Sequence, residues 1–331
     1  MQKIKSKLHL RFLSIVSILA LVLLAFMISS VARNASNLLH QNSTEKYNWE
    51  ISQMSGDLQS TLNNYSNFLY SGRGLILADP DVTNGEWQNF YDSQSTFSRF
   101  PGMSSIYYAQ VVNASQKNAF VAQMRSNPIL GPSYTIKPAG DRSQYLIATL
   151  VSSVNNVKAN GFDLYSTANR KTVYDAAATT GAPVASEQFV LGTGVKGMFI
   201  ALPVTRDQSV NGFVAVSLRS EDFFSKIIDT NKLNTSSLMI SDVTDSKSPV
   251  VLYTSANSLP VASDKQRSVN IAFGTRTWKL DFRTPTTVAE HLNEIIVPRL
   301  ILFVGILLVF ILILSFYVFF RVSKKIDLLS K

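Results

Sequence analysis

No cysteine occurs anywhere in the chain. Disulfides, zinc–thiolate sites and thiol nucleophiles are excluded together, and whatever folds here must hold by burial alone. Histidine is nearly as scarce. The three present, His9, His40 and His291, lie far apart in sequence with no cluster of paired carboxylates beside them. Neither a metal site nor a Ser-His-Asp arrangement is therefore expected, and the chain reads as no enzyme, with no catalytic residue and no cofactor. Nothing in it carries a kinase, cyclase or hydrolase signature.

Negative charge is the third deficit, with 31 Lys and Arg against 22 Asp and Glu for a net charge of +9. Such a balance suggests nucleic acid until the charge is divided by segment. Lys3, Lys5, Lys7 and Arg11 crowd the first residues, and Arg321, Lys324, Lys325 and Lys331, less Asp327, crowd the last. These flanks hold seven of the nine net charges, so the interior is an ordinary solvated surface and nucleic acid is not a partner.

What the flanks enclose explains them. Residues 12–31 and 300–320 are uncharged apolar runs of about 20 residues, the length a helix needs to cross a bilayer. Basic flanks stay in the cytoplasm. Residues 1–11 are thus expected as a cytoplasmic tail, 12–31 and 299–320 as transmembrane helices, and 321–331 as the cytoplasmic start of a signalling helix. Residues 32–298 then lie outside the membrane. Ser30-Val31-Ala32 has the small-x-small form of a cleavage site, but the apolar run exceeds the roughly 7–15 residues of a signal peptide core, which favours an uncleaved anchor. A cysteine-free domain on that side suits a prokaryotic envelope.

Between the spans, residues 32–82 read as one long helix. Ile51, Met54, Leu58, Leu62, Tyr65 and Leu69 recur at steps of three and four, an apolar stripe that serves either packing or a dimer seam. Asp79-Pro80-Asp81 ends it. A second helix starts at Asn84, with Glu86 close behind, and runs to Phe100, where Pro101-Gly102 breaks it. Residues 103–112 form a strand, 113–124 a turn and short helix, 145–151 a strand, and 166–180 a helix capped by Ser166 and closed by Gly181. Strands follow at 184–190, 197–204 and 212–218, the last two joined by a hairpin turn over 205–211. After a short helix at 221–228, strands at 237–243, 250–255, 268–273 and 278–283 form a smaller sheet. A short helix over 286–298 leads into the second span. The fold class is α+β, with a larger module over 83–222 and a smaller one over 223–290.

Two features invite a chemical reading. Gly192-Thr-Gly-Val-Lys-Gly197 spells GxGxxG, but a phosphate cradle requires a helix after the glycines, and a strand follows here. It is read as a glycine-rich hairpin. The aromatic and hydroxyl content of the central sheet is more suggestive. Tyr107, Tyr108, Tyr145, Tyr174, Phe189 and Phe199 either line a pocket with serine and threonine anchors or fill the core. Alternation sends Tyr107 and Tyr108 to opposite faces, so only one of them faces any cavity.

The central segment resembles the CHASE domain family, extracytoplasmic input modules of histidine kinases and nucleotide cyclases. The resemblance rests on Phe100-Pro-Gly-Met-Ser-Ser-Ile-Tyr, on Gly161-Phe-Asp-Leu-Tyr-Ser166 with Arg170 after it, on Thr180-Gly181, and on Leu202-Pro203-Val204. It covers about residues 35–225, and Gly274-x-x-x-Trp278 with the downstream strands looks like the second module such proteins carry. It implies a long helix followed by two PAS-like antiparallel-sheet modules, with the ligand in the membrane-distal one. Gly161, Phe162, Asp163 and Arg170 are implied to be structural.

Plant cytokinin receptors share this architecture, and the resemblance transfers their pocket to Tyr174 and Ser186. The position of their purine-gripping aspartate falls near Ser152, Ser153 or Val154, where no acid stands. A neutral, hydroxyl-rich pocket is implied, lined by Tyr107, Tyr108, Ser152, Tyr174, Ser186 and Phe199, for a neutral or weakly polar small molecule. Family members usually continue into a kinase or cyclase, whereas only eleven residues follow the second span here. The expected protein is a homodimeric sensor in the cell membrane, both termini cytoplasmic, acting through a separate kinase or cyclase. A structural envelope protein and an extracytoplasmic hydrolase are the rival readings.

Overall fold

The computed structural model describes residues 2–127, 130–155, 161–192, 194–228, 237–255, 265–284 and 288–329. In chain order the elements are α1 (Gln2–Ala78), α2 (Asn84–Asp92), α3 (Thr96–Arg99), β1 (Met103–Asn113), α4 (Lys117–Ser126), β2 (Gln144–Ser153), α5 (Ala168–Thr180), β3 (Val184–Ala185), β4 (Phe189–Val190), β5 (Lys196–Arg206), β6 (Ser209–Arg219), α6 (Ser220–Ile227), β7 (Ser237–Asp242), β8 (Val250–Thr254), β9 (Lys265–Phe273), β10 (Arg276–Thr284) and α7 (Val288–Leu329). Two compact units divide the chain: residues 51–285, and residues 1–50 together with 286–331.

The second of these units is helical. Both α1 and α7 contain stretches long and apolar enough to cross a membrane. Leu19, Leu23 and Phe26 on one, and Phe303, Ile306 and Phe310 on the other, point outward without protein cover. Such helices are at home in lipid, where apolar tails replace water. Where the two approach, a side chain at Gly305 would begin 2.3 Å from Ile28 Cγ2, so only glycine permits this contact. No separate short helix precedes the second span: α7 runs unbroken through Pro298.

In the larger unit the apolar stripe of α1 is buried at Ile51, Leu58, Leu62, Tyr65 and Leu69, with Met54 at its margin. Arg206 donates to the carbonyl of Leu77 at 3.1 Å, satisfying the open end of α1. Helix α2 starts at Asn84 as expected, with Thr83 as its N-cap. The Thr83 side chain accepts from Glu86 N, and Glu86 returns a bond to Thr83 N at 2.9 Å. The three-residue spacing of Thr83 and Glu86 makes this a capping box. The helix expected to run on to Phe100 stops at Asp92 and resumes as α3, because Ser95 adopts a left-handed conformation (φ 51°) between them.

Two antiparallel sheets carry the rest. The larger has the order β2-β1-β6-β5-β3, with β4 also pairing β5, and the smaller has the order β8-β7-β10-β9. The β5–β6 hairpin turns on Asp207 and Gln208 alone, both at positive φ. It is the two-residue turn whose twist suits flanking strands, and the strands are longer than the pattern at 205–211 suggests. The expected strand 184–190 splits into β3 and β4, because Ser186 places its own hydroxyl where the ladder continues: it accepts from Phe199 N at 3.0 Å. Helix α1 meets one face of the larger sheet so closely that a side chain at Gly72 would lie 3.0 Å from Val214 Cγ1. Helix α5 covers the other face, around a core of Tyr107, Leu146, Tyr174, Phe199 and Phe213.

The smaller sheet joins the larger one through α6, where Phe224 meets the edge of Trp278 at 5.5 Å. The β9–β10 turn also reaches across, since a side chain at Gly274 (φ 55°) would lie 2.8 Å from the carbonyl of Pro183. Asp242, buried on β7, is held by Arg276 Nε at 2.7 Å.

Candidate functional site

Register decides which side chains share a surface. On β1 Tyr107 faces α5, opposite Val151 of β2 and Ala215 of β6. One step away Ile106 pairs Ser152, and Tyr108 pairs Val214, so Ser152 and Tyr108 project from the opposite face, toward α1. Tyr108 lines a cleft of about 730 Å³ near Arg206 and Asn211. There burial pushes its phenol up to about 12, against the pull of Arg206. The six residues expected to share a pocket are thus divided, with Tyr107, Tyr174, Phe199 and Ser186 on one side.

The residues on the α5 side form a coherent group. Tyr107 and Tyr174 join hydroxyl to hydroxyl at 2.9 Å. The Tyr174 ring stacks on Phe199 at 5.1 Å and meets the edge of Phe213 at 4.9 Å. Burial raises the pKa of both phenols, most strongly for Tyr174, while the nearby Arg170 charge pulls each back. Both remain neutral hydroxyls at physiological pH.

A row of hydroxyls crosses the sheet beside them. Ser105 pairs Ser153 on one side and Ser217 on the other, and Ser217 pairs Phe199. Ser186 continues the row at the sheet edge, its amide donating to Phe199 O at 2.9 Å, with its hydroxyl also donating to Glu187 O at 2.7 Å. Ser153, not its neighbour Ser152, therefore shares a face with Tyr107. Ser105 and Ser217 had no individual signal in the sequence, although Ser105 stands two residues from Tyr107, the spacing that puts both on one face.

The Gly161-Phe-Asp segment is stitched on both sides. Lys137 N donates to Gly161 O at 2.8 Å, and Asp163 N donates to Lys137 O at 2.7 Å. A Cβ at Gly161 (φ 78°) would sit 2.1 Å from the carbonyl of Thr135, so the position admits glycine alone. Asp163 is fully buried. Its Oδ1 accepts from Leu146 N at 2.9 Å and Tyr165 N at 3.0 Å, while Oδ2 lies 3.5 Å from Arg142 Nε. Asp163 caps the short 3-10 turn Leu164–Ser166. Helix α5 begins one residue later than expected: Thr167, not Ser166, is its N-cap, without a side-chain bond.

Arg170 stands in the first turn of α5. Its guanidinium carbon lies 5.2 Å above the ring of Phe162 and 5.2 Å above that of Phe189, a cation held between two aromatic faces. Among the described residues no group of three or more His, Cys, Asp or Glu side chains is placed to hold a metal ion. Gly192 and Gly194 lie in the β4–β5 turn, where Leu191 N bonds Val195 O at 2.8 Å, and Gly197 stands within β5 rather than at the start of a helix.

A long helix is thus followed by two antiparallel sheets, the larger of them covered by α5 on one face. The chain belongs to the CHASE domain family, whose model matches residues 80–253. No curated protein matches the chain. Among solved structures it is similar to a protein described as methyl-accepting chemotaxis protein X, at 9% identity and TM-score 0.46 over 74% of this chain and 98% of that one. It is also similar to the ligand-binding domain of the Pseudomonas aeruginosa PAO1 amino acid chemoreceptor PctC in complex with GABA (16% identity, TM-score 0.43, 73% and 99% covered). The extracellular domain of the putative histidine kinase soHK1S-Z6 is a third (12%, TM-score 0.43, 75% and 95%). These likenesses concern architecture alone.

Proposed function

We propose that this CHASE protein is a membrane-anchored receptor that senses a small polar molecule in the layer between the larger sheet and α5. The observation that carries this reading is the Tyr107–Tyr174 hydroxyl pair, buried beside the serine row within an otherwise apolar core. Polar groups cost free energy inside a core unless they are paired, and a ligand with matching donors and acceptors offers them partners of equal quality. Tyr107, Tyr174, Phe199 and Ser186 are the proposed lining, joined by Ser105, Ser153 and Ser217. In this reading Ser152 and Tyr108 support the opposite face, and Gly161, Phe162 and Asp163 hold the loop beside the site.

The anchor is the pair of apolar helices, with the basic flanks in the cytoplasm and residues 32–298 outside. The receptor works as a homodimer. Leu38 and Trp49, which are exposed on α1 and eleven residues apart, fall on one helical face available to a second copy. The signal passes to a cytoplasmic kinase or cyclase. The proposed role is binding.

The test is a thermal-shift screen of the full chain in detergent against small metabolites. A binder raises the melting temperature by mass action. Tyr107→Phe with Tyr174→Phe should keep the fold and abolish that shift. A binder whose shift survives both changes places the site elsewhere.

A further inference from the structure

Among the described residues Arg170 forms no ion pair. The carboxylates of its own and the adjoining segments bond elsewhere. Lys171 Nζ holds Asp175 at 2.6 Å, Asn169 Nδ2 holds Glu187 at 2.8 Å, and Asp163 turns its oxygens to the amides of Leu146 and Tyr165 and to Arg142. Among the described residues none accepts a hydrogen bond from Arg170, whose guanidinium meets only the faces of Phe162 and Phe189. Five N–H donors in a fixed fork are left over.

The place is also electrostatically wrong for a purely structural arginine. The first turn of α5 contains no acidic residue, and the positive end of a helix disfavours a cation by a few tenths of a kcal/mol or more. An arginine kept there, clamped by two rings and close enough for its charge to act on Tyr107 and Tyr174, is oriented for an anion.

We propose that Arg170 is the anchor for a carboxylate, so that the ligand is a small monocarboxylic acid. One planar oxyanion pairs with the fork of Arg170, and the remainder lies toward the hydroxyls of Tyr107, Tyr174 and Ser217. A single guanidinium with neutral hydroxyls balances one negative charge. A phosphate, carrying nearly two, would call for a second cation. The proposal rests on the sensing reading above and replaces the neutral ligand implied by the family resemblance with one that is charged at one end.

The test uses the full chain in detergent and a paired panel: acetate, butyrate, lactate, benzoate, indole-3-acetate and alanine, each against its primary amide. The expected result is a thermal shift from at least one acid and none from its amide. Arg170→Gln should weaken that acid at least about thirtyfold, the size of losing one partner of a buried charge pair. Arg170→Lys should recover part of it. Binding of amides in preference to acids overturns the carboxylate assignment while leaving the sensing site in place. An acid whose affinity is unchanged in Arg170→Gln overturns the anchor. A panel with no shift from any member, charged or neutral, counts against both this assignment and small-molecule sensing at this site.

Discussion

Replacing Asp163 with alanine removes two hydrogen bonds at one stroke. Its Oδ1 accepts from Leu146 N, in the middle of β2, and from Tyr165 N, in the turn that leads to α5. Alanine leaves both amides without that acceptor. A buried donor stripped of its partner costs about 1–3 kcal/mol, so the expected loss is roughly 2–5 kcal/mol, with the half-buried Tyr165 amide at the low end. That exceeds the roughly 0.5–2 kcal/mol of an ordinary cap, because the carboxylate also serves a strand. In a unit of this size about 1 kcal/mol shifts the melting point by about 2–4 °C, which puts the change near 5–15 °C. The assay is thermal unfolding of the full chain, followed by the fluorescence of the buried Trp87 and Trp278. Asp163→Asn keeps an acceptor and forfeits only the Arg142 attraction, so it should recover most of the loss. A melting point within 2 °C of wild type for Asp163→Ala, together with lost ligand binding, would refute the structural role and move Asp163 into the pocket.

Three further outcomes are expected. Reporter fusions after residue 150 and after residue 321 should read opposite sides of the membrane; the same side for both would remove the two-span topology. Alkaline titration should unfold the larger unit instead of simply ionising it. Tyr65, Tyr91, Tyr107 and Tyr174 all have pKa values raised by burial, so their contribution to stability is complete below about pH 10 and is lost as pH climbs through the folded-state values. Tyrosinate absorbance from these four with the circular dichroism intact would contradict that. Gly274→Ala should lower the melting point by several degrees, since its methyl group would press on Pro183 and Val184; an unchanged value would show that the turn yields freely.

Most of the architecture was legible because periodicity survives in the sequence. The stripe from Ile51 to Leu69 has the helical period, and β5 and β6 are continuous apolar runs because helices cover both faces of their sheet. Boundaries were less legible where one side chain replaces a backbone bond. Ser186 ends β3 by accepting the amide of Phe199, an event that depends on a single hydroxyl and leaves no periodic trace. The site was half legible. Aromatic content pointed to Tyr107, Tyr174 and Phe199, and alternation alone separated Tyr108. Ser152 was displaced by its neighbour because the β1–β2 register has a bulge between Tyr108 and Ala109, which no count along one strand discloses. The half-buried cation of Arg170 was legible only as a motif letter, since its meaning lies in rings that come from two other segments.

The same short strand belongs to the site and to the contact between the sheets. Ser186 follows β3 directly and bonds both the amide and the carbonyl of Phe199, which stacks on Tyr174. Two residues earlier, Val184 Cα lies 3.0 Å from where a Gly274 side chain would begin. Gln188 reaches onward to the carbonyl of Leu252 on β8, at 3.4 Å. A strand two residues long has little ladder of its own to resist displacement, and close-packed neighbours accommodate a shift only by moving with it. A ligand that repositions Tyr174 or Phe199 therefore acts on β3 through a bond and a stacked ring, and β3 acts on the β9–β10 turn through a contact with no spare room. In the proposed reading the smaller sheet is coupled to the site by packing at Gly274, and that coupling requires no change in the strand order of either sheet.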